Sequence, residues 1–204
     1  MIVIIQARSG SRRFKNKVLT MLHGRPLIWY VIRQVKKAKK VKKIILAIPK
    51  GKKDKNLYLY LKRIGIEIYR GSEKNVAGRI VSAAKKFKAN LFMRISGDSP
   101  LIKPSIIDRC IYLQKKFVDY DLITNVFPRT FPSGQSVEII KTNIIEKNIK
   151  KMKKKEREHV TLFFYKYYNK FKIKNFISKS KKLSSKNSID TLEDFHKLKK
   201  FIKK

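Results

Sequence analysis

Over the first half of the chain, short apolar runs rich in β-branched residues alternate with longer segments in which apolar residues recur at the helical period. Residues 1–6 (MIVIIQ) predict a buried strand. The predicted helix at 26–38 carries an apolar face made of Leu27, Ile28, Val31, Ile32 and Val35. Further strands are predicted at 43–49, 66–69 and 90–96, and further helices at 57–64, 76–87 and 104–117. This order predicts an α/β fold in which helices cover both faces of a mostly parallel central sheet.

The pattern changes after about residue 120. Strands are predicted on either side of the turn-rich segment PRTFPSG, at 121–126 and 136–140, and a third at 171–176. Helices are predicted at 156–168 and 191–202. We interpret residues 120–178 as a small β-rich insertion that lies over the sheet, within a single domain formed by residues 1–204.

The charge of the chain is strongly unbalanced. Its 204 residues include 52 lysines and arginines against 14 acids, which gives a net charge of +38. Such a charge is typical of nucleic-acid binding, which is mostly electrostatic. The alternative is compositional drift, because lysine is spread along the whole chain while glycine and proline are scarce. We favour drift, so that nucleic acid would bind only through non-specific charge, although the field would attract nucleoside triphosphates.

Cysteine usage and hydropathy exclude several other classes of protein. A single cysteine, Cys110, excludes an intramolecular disulfide, and no Cys/His cluster has zinc spacing. Lysine interrupts every apolar run, so none approaches the length of a membrane span. The N-terminal run MIVIIQA is too short for the core of a signal peptide. These features predict a soluble, cytoplasmic protein without a membrane partner.

The segment ARSGSRRFKNK, residues 7–17, directly follows the first predicted strand. Open parallel sheets bind ligands outside the carboxyl ends of their strands, where this loop is expected. Gly10 lies between Ser9 and Ser11 in a backbone rich in N–H donors, and cationic side chains surround it: Arg8, Arg12, Arg13, Lys15 and Lys17. Amides and cations together suit a triphosphate. The spacing fits neither a Walker A loop nor a GxGxxG turn, and an ordinary basic loop is the alternative.

An acid is predicted at the same edge of the sheet. Asp98, in RISGDSPLI, follows the fourth predicted strand and precedes a helix that starts with proline. Beside a phosphate loop, a carboxylate would repel phosphate unless Mg²⁺ lay between them. The alternative is that Asp98 or Ser99 caps the following helix.

A second acid precedes the closing helix, in the segment SIDTLED. Thr191 and Asp194 have the spacing of an approximate capping box, which explains both residues structurally. Asp190 is not explained in that way. Its interpretation as a second metal ligand depends on the family resemblance described next.

Seven segments in order resemble the spore-coat-polysaccharide type of cytidylyltransferase, a relative of the acylneuraminate and 3-deoxy-manno-octulosonate cytidylyltransferases. They cover nearly the whole chain: IIQARSGSRRFKNKVL, GRPLIWYVI, RGSEKNV, RISGDSPLI, TNVFPRTFPSG, REHVT and IDTLEDF. The resemblance implies a Rossmann-like nucleotidyltransferase fold, CTP as cosubstrate, Mg²⁺ and a homodimer. It also implies transfer of CMP to a sugar, sugar acid or sugar phosphate for surface polysaccharide, with residues 120–178 as an acceptor or dimerisation lobe.

The resemblance also assigns roles to individual positions. Catalytic roles fall on Arg13, Lys17, Asp98 and Asp190, of which Asp98 and Asp190 would hold the metal. The nucleotide would be bound by Ala7, Arg8, Ser9, Gly10, Ser11, Arg13, Lys17, Arg94, Ser96, Gly97 and Asp98. The acceptor would be bound by Asn125, Glu138 and His159. For Glu138, pairing with a lysine is the alternative, and for His159 a surface or capping position.

Two segments depart from the family pattern. Gln135 and Ser136 stand where relatives usually carry a Gly-Leu-Asp-like sequence, and AGRI at residues 77–80 lacks an expected acid. Both departures lie on the acceptor side, so the identity of the acceptor stays open. The alternatives are the same fold with GTP or UTP, a non-catalytic relative, and a basic nucleic-acid-binding protein.

Overall fold

A computed structural model describes residues 1–11, 13–178 and 186–201. The strands are β1 (Ile2–Gln6), β2 (Met21–Leu22), β3 (Arg25–Pro26), β4 (Lys43–Pro49), β5 (Glu67–Gly71), β6 (Leu91–Ser96), β7 (Leu122–Thr124), β8 (Glu138–Lys141) and β9 (Ile173–Asn175). The α-helices are α1 (Leu27–Lys36), α2 (Lys55–Arg63), α3 (Val76–Lys86), α4 (Pro104–Lys116), α5 (Thr142–Asn148), α6 (Lys154–Glu158), α7 (Leu162–Lys166) and α8 (Leu192–Phe201). Short 3₁₀ turns lie at Lys17–Leu19, Lys52–Asp54 and Tyr168–Lys170.

A seven-stranded sheet, in the order β5-β4-β1-β6-β8-β7-β9, forms the centre of the protein. Strand β8 pairs antiparallel with both β6 and β7, whereas the other neighbouring strands pair in parallel. The predicted α/β class with a mostly parallel sheet is therefore confirmed. Because β1 and β6 are parallel neighbours, the loops that follow them leave the sheet at the same edge.

Helices cover both faces of this sheet, as the sequence predicts. On one face, Val31 of α1 and Ile107 of α4 pack into a cluster that also contains Val3 and Ile5 of β1. On the other face, helices α3, α5 and α7 pack around Ile4 of the same strand. Alternate residues of β1 thus enter opposite cores, and this two-sided burial explains the continuous apolar run of the strand.

The second half of the chain differs from its prediction. Strands β7, β8 and β9 continue the central sheet and do not lie over it. Residues 120–178 also contain more helix than strand, so the description as a β-rich insertion is wrong. The helix predicted at 156–168 is interrupted between α6 and α7, where the β-branched Val160 and Thr161 disfavour a continuous helix.

The helices of the described ranges are short. The longest of them, α4, has 13 residues. Within those ranges, no helix combines the length and the apolar character needed to cross a lipid bilayer.

Candidate functional site

Three segments meet at the carboxyl edge of the parallel strands. Gly97, which follows β6, donates its N–H to the carbonyl of Gln6 at the end of β1, at 2.8 Å. The N–H of Ile189, shortly before α8, donates to the carbonyl of Asp98 at 3.0 Å. A Cβ atom at Gly97 would lie 2.9 Å from the Cβ of Ala7 and from the carbonyl oxygen of Gln6, so this close approach requires glycine.

Lys17 lies at the centre of this junction and is only 9% exposed. Its Nζ donates to Oδ2 of Asp98 at 3.0 Å and to the carbonyl of Ile189 at 2.7 Å. Oδ1 of Asp190 lies 3.5 Å from the same ammonium. The structure therefore brings together three of the predicted catalytic residues, with a buried cation between two carboxylates.

Asp190 is surrounded by further positive charge. Arg13 approaches its Oδ1 at 3.1 Å, and Lys186 lies 3.4 Å from its Oδ2. The side chain of Arg13 is 67% exposed, whereas that of Asp190 is 25% exposed. The arginine thus presents positive charge to solvent directly above the junction, where an anionic ligand would meet it.

The start of α8 holds Asp190 in place. Asp194 accepts hydrogen bonds from the N–H groups of Asp190 and Thr191, at 2.8 and 3.0 Å, and Thr191 Oγ1 accepts from the N–H of Asp194 at 3.2 Å. These bonds confirm the capping box predicted for Thr191 and Asp194. Burial acts to raise the pKa of Asp194, but hydrogen bonds from Lys186 and the two N–H groups prevail and lower that pKa to about 2. Since Asp194 caps the helix, the carboxylate of Asp190 is left to face Lys17.

Several backbone groups of the loop after β1 form hydrogen bonds within the protein. Ser9 donates its N–H to Oδ1 of Asp54 at 2.7 Å. The carbonyl of Ser9 accepts from the N–H groups of Ser11 and Asn16, at 2.9 and 3.0 Å. The amides of Ser9 and Ser11 are thus engaged within the protein, whereas that of Gly10 finds no acceptor among the described residues. Fewer free amides face a ligand here than the loop's composition suggests.

Other predicted nucleotide-binding residues lie around the junction without joining it. Arg8 forms an ion pair of 3.0 Å with Glu158 at the end of α6. Ala7 is buried, and Ser96 is half-buried at the end of β6. These residues lie in the loop after β1 or at the end of β6, and no ion pair links Arg8 to Asp98 or Asp190 in the described part of the chain.

Arg94 belongs to a buried polar network beneath the junction. Its Nε donates to Oε1 of Gln6 at 3.0 Å, and its Nη1 donates to Glu138, which is 3% exposed. Tyr165 donates its hydroxyl to Glu138 and lies 2.9 Å from Thr124 Oγ1. Burial, and then the charge of Glu138, raises the pKa of Tyr165 well above its ordinary value. Both oxygens of Glu138 are occupied by these partners.

The residues predicted to bind the acceptor occupy different environments. Asn125 is fully buried; its amide group donates to the carbonyl of Gln135 at 2.8 Å and accepts from the N–H of Val137 at 3.0 Å. Glu138 is buried in the network just described. His159 is exposed at the end of α6, and among the described residues no hydrogen bond joins it to the other two.

Two residues hold loops near the site in place, and the sequence did not predict these roles. Asp54, 2% exposed, anchors the first loop through Ser9. Gln135 accepts from the N–H of Lys103 at 2.9 Å and donates to the carbonyl of Leu101 at 2.6 Å, which ties its loop to the segment after β6. An isolated acid within KGKKDK was a signal for Asp54, whereas nothing local pointed to the contacts of Gln135.

The donor set suits a cation shared with a phosphate ligand. Among the residues that the structure describes, no group of three or more His, Cys, Asp and Glu side chains converges on a point. Asp98 and Asp190 do converge, and the ammonium of Lys17 marks where a positive charge is stabilised between them. Mg²⁺ is commonly held by one or two carboxylates with phosphate oxygens and water as the other ligands, so the pair fits such an ion.

The chain is similar in sequence and in fold to several known proteins. An uncharacterised protein of Methanocaldococcus jannaschii is 36% identical over 199 residues, which cover 95% of this chain and 79% of that protein. The spore coat polysaccharide biosynthesis protein SpsF of Bacillus subtilis is 26% identical over 215 residues, which cover 100% of this chain and 86% of SpsF. A solved cytidylyltransferase from Leptospira borgpetersenii superposes with a TM-score of 0.93 at 26% identity, covering 100% of this chain and 88% of that one.

A family model described as cytidylyltransferase matches residues 2–203. The match includes every segment that meets at the junction, from the loop after β1 to the start of α8. The resemblance noted in the sequence is thereby confirmed, and the chain belongs to the cytidylyltransferase family.

Proposed function

We propose that this protein is a Mg²⁺-dependent enzyme that transfers CMP from CTP to a sugar, sugar acid or sugar phosphate and releases pyrophosphate, in the synthesis of surface polysaccharide. The observation that carries the proposal is the contact of Lys17 with Asp98 and Asp190 at the carboxyl edge of the sheet. Membership of the cytidylyltransferase family supports CTP as the nucleotide. Similarity to SpsF, a spore coat polysaccharide biosynthesis protein, supports a role in polysaccharide synthesis.

The cations of the first loop would bind the triphosphate. The side chain of Arg13 is 67% exposed and contacts Asp190, so it would exchange this partner for a phosphate oxygen when a triphosphate binds. Lys17 is buried, and its ammonium contacts the same carboxylate of Asp190. As the reaction proceeds, negative charge develops on the phosphoryl and pyrophosphate oxygens, and these two side chains would stabilise it.

Asp98 and Asp190 would hold the magnesium ion. When bound, the ion would neutralise phosphate charge and orient the triphosphate. Each of the two carboxylates is 25% exposed, so each is open to a ligand on its solvent side. The capping of α8 by Asp194 keeps Asp190 available for this role.

The bond changes need no covalent intermediate on the protein. An oxygen of the acceptor attacks the α-phosphorus of CTP, and a new P–O bond forms as the bond to the β-phosphate oxygen breaks. Pyrophosphate leaves with the bonding electron pair. The acceptor proton passes to a carboxylate of the aspartate pair or to solvent, while Arg13 and Lys17 hold the phosphates in line.

Acceptor binding, assembly and location belong to the same proposal. Asn125 and Glu138 would shape the floor of the acceptor site from beneath, and His159 would contact the acceptor from the surface. Residues 120–178 would provide the lobe for the acceptor or for a second subunit. We expect a homodimer in size-exclusion chromatography with light scattering, and a cytoplasmic enzyme in cell fractionation.

A nucleotide panel tests the proposed activity. The protein would be incubated with Mg²⁺ and CTP, UTP, GTP or ATP, each with a set of sugar acids and sugar phosphates, and pyrophosphate release would be measured. We expect release with CTP in the presence of one class of acceptor. Release with GTP or UTP alone would contradict the choice of nucleotide. Salt-sensitive binding of oligonucleotides, with no stabilisation by CTP and Mg²⁺, would favour a nucleic-acid-binding protein.

A further inference from the structure

Asp54 is a buried acid that the proposed reaction does not use. It lies in the lysine-rich segment KGKKDK and is only 2% exposed. Burying an ionised carboxylate is unfavourable unless hydrogen bonds or an opposite charge compensate it. The position of Asp54 therefore needs a specific interaction to explain it.

Helix capping does not provide that interaction. Asp54 is the N-cap residue of α2, a position where aspartate commonly accepts a hydrogen bond from the first turn of its own helix. Its side chain makes no such capping bond. Its Oδ1 accepts instead from the N–H of Ser9, at 2.7 Å. The carboxylate therefore serves the loop after β1 and not the helix that follows it.

Ser9 lies at the centre of the backbone hydrogen bonds within that loop. Its carbonyl accepts from the N–H of Ser11 at 2.9 Å and from that of Asn16 at 3.0 Å. Its hydroxyl is buried and has no partner in the part of the chain that the structure describes, so the backbone makes these connections. Asn16 directly precedes Lys17. A carboxylate that holds the Ser9 peptide thus influences the backbone position of Asn16 and, next to it, of Lys17.

A buried arginine lies close enough to Asp54 for the two opposite charges to interact. Arg79 of α3 is 3% exposed and donates to the carbonyls of Ser72 and Glu73. Burial, together with the positive charge of Arg8, lowers the pKa of Arg79 to about 10, whereas the negative charge of Asp54 acts to raise it. Asp54 and Arg79 are thus opposite charges that stabilise each other within the protein.

We infer that Asp54 is a positioning residue for triphosphate binding, which acts by fixing the peptide of Ser9 and, through it, the segment that ends in Lys17. Asp54 does not itself touch the nucleotide. The inference rests on the proposed function, because its effect is on the handling of CTP.

Steady-state kinetics of Asp54 variants test this role. Asp54→Ala should raise the KM for CTP about tenfold or more, because the buried N–H of Ser9 is left without its acceptor, and should leave the KM for the acceptor substrate unchanged. Asp54→Asn should stay within about threefold of the wild type, since its amide oxygen still accepts from Ser9. Asp108→Ala is the matched control: Asp108 accepts from the N–H groups of Lys39 and Lys40, at 3.0 and 2.9 Å, in the turn before β4.

A KM for CTP within about twofold of wild type in Asp54→Ala would overturn the inference, as would an equal defect in Asp54→Asn. Should Asp54→Ala fail to fold, Asp54→Asn is compared with Asp54→Glu, which keeps the charge but displaces the oxygen. A defect in the glutamate variant alone supports the inference, and a defect in the asparagine variant alone contradicts it. Failure of the proposed function is recognised separately, as wild-type protein that releases no pyrophosphate from CTP.

Discussion

The ammonium of Lys17 lies 3.0 Å from Oδ2 of Asp98, which joins the loop after β1 to the loop after β6. The two loops meet because β1 and β6 are parallel neighbours in the sheet. Asp190, from the segment before α8, completes the junction at 3.5 Å from the same ammonium. The proposed activity depends on this meeting of one cation and two acids.

Asp98→Asn should reduce product formation about a hundredfold or more, because the amide cannot provide the carboxylate charge needed to hold the cation beside phosphate. The variant should fold normally, since Asp98 is partly exposed and its amide still accepts from Lys17. Pyrophosphate release and circular dichroism would be measured side by side, with Asp108→Asn as control. Turnover near the wild-type rate would refute the metal assignment.

Lys17→Ala should mainly impair the handling of CTP. The loss of a charge-assisted hydrogen bond costs about 1.5–3 kcal/mol, which corresponds to an increase of roughly ten- to a hundredfold in the KM for CTP. The KM for the acceptor should change little. CTP kinetics identical to those of the wild type would exclude Lys17 from the triphosphate site.

Divalent cations should bind weakly to the free protein, because the ammonium of Lys17 already lies between Asp98 and Asp190. Electron paramagnetic resonance of added Mn²⁺ should therefore show little binding by the wild type until CTP is present. Lys17→Met should create a site for Mn²⁺ without nucleotide, and a further Asp190→Asn change should remove it. Tight nucleotide-independent binding by the wild type would contradict this account of Lys17.

Glu138→Ala should destabilise the protein strongly. Glu138 is only 3% exposed, so its removal leaves the charge of Arg94 without its ion-pair partner in a buried environment. Breaking a buried ion pair on one side costs about 3–5 kcal/mol. The double variant Arg94→Met/Glu138→Met should recover much of the lost free energy of unfolding in urea. A Glu138→Ala protein as stable as the wild type would show that the pair is not buried in solution.

Asp194 should make stability depend on pH. A carboxyl with a pKa of about 2 in the folded protein stabilises it above the unfolded pKa of about 3.9, and loses this contribution as pH falls through about 2. Asp194→Asn should therefore be less stable by roughly 1–2 kcal/mol above about pH 4, and the difference should disappear near pH 2. Urea denaturation across this range provides the measurement. A difference that does not vary with pH would speak against the low pKa.

Local patterns predicted the first half of the fold well. The helix predicted at 26–38 is observed as α1, with Val31 and Val35 fully buried, because a long amphipathic segment is recognised without tertiary information. The hairpin of β2 and β3 was not predicted, since each strand has two residues and no repeating pattern. The place of β7 and β9 in the central sheet depends on pairing with distant strands, which periodicity does not reveal.

The site shows the same division between local and long-range information. Lys17, Asp98 and Asp190 were predicted because each lies in a recognisable segment of the family. Asp54 was missed because its partner, Ser9, lies 45 positions away and the local sequence suggests a lysine-rich loop. Asn125 and Glu138 were predicted as contacts of the acceptor, but the sequence did not show that both are buried and already hydrogen-bonded.

The most direct test is a crystal structure of the protein with CTP and Mg²⁺. We predict a metal ion bound to carboxylate oxygens of both Asp98 and Asp190, with Nζ of Lys17 moved from between them onto a phosphate oxygen. A triphosphate bound away from the loop at residues 7–17, or Lys17 still seated between the two aspartates with no metal beside them, would contradict it.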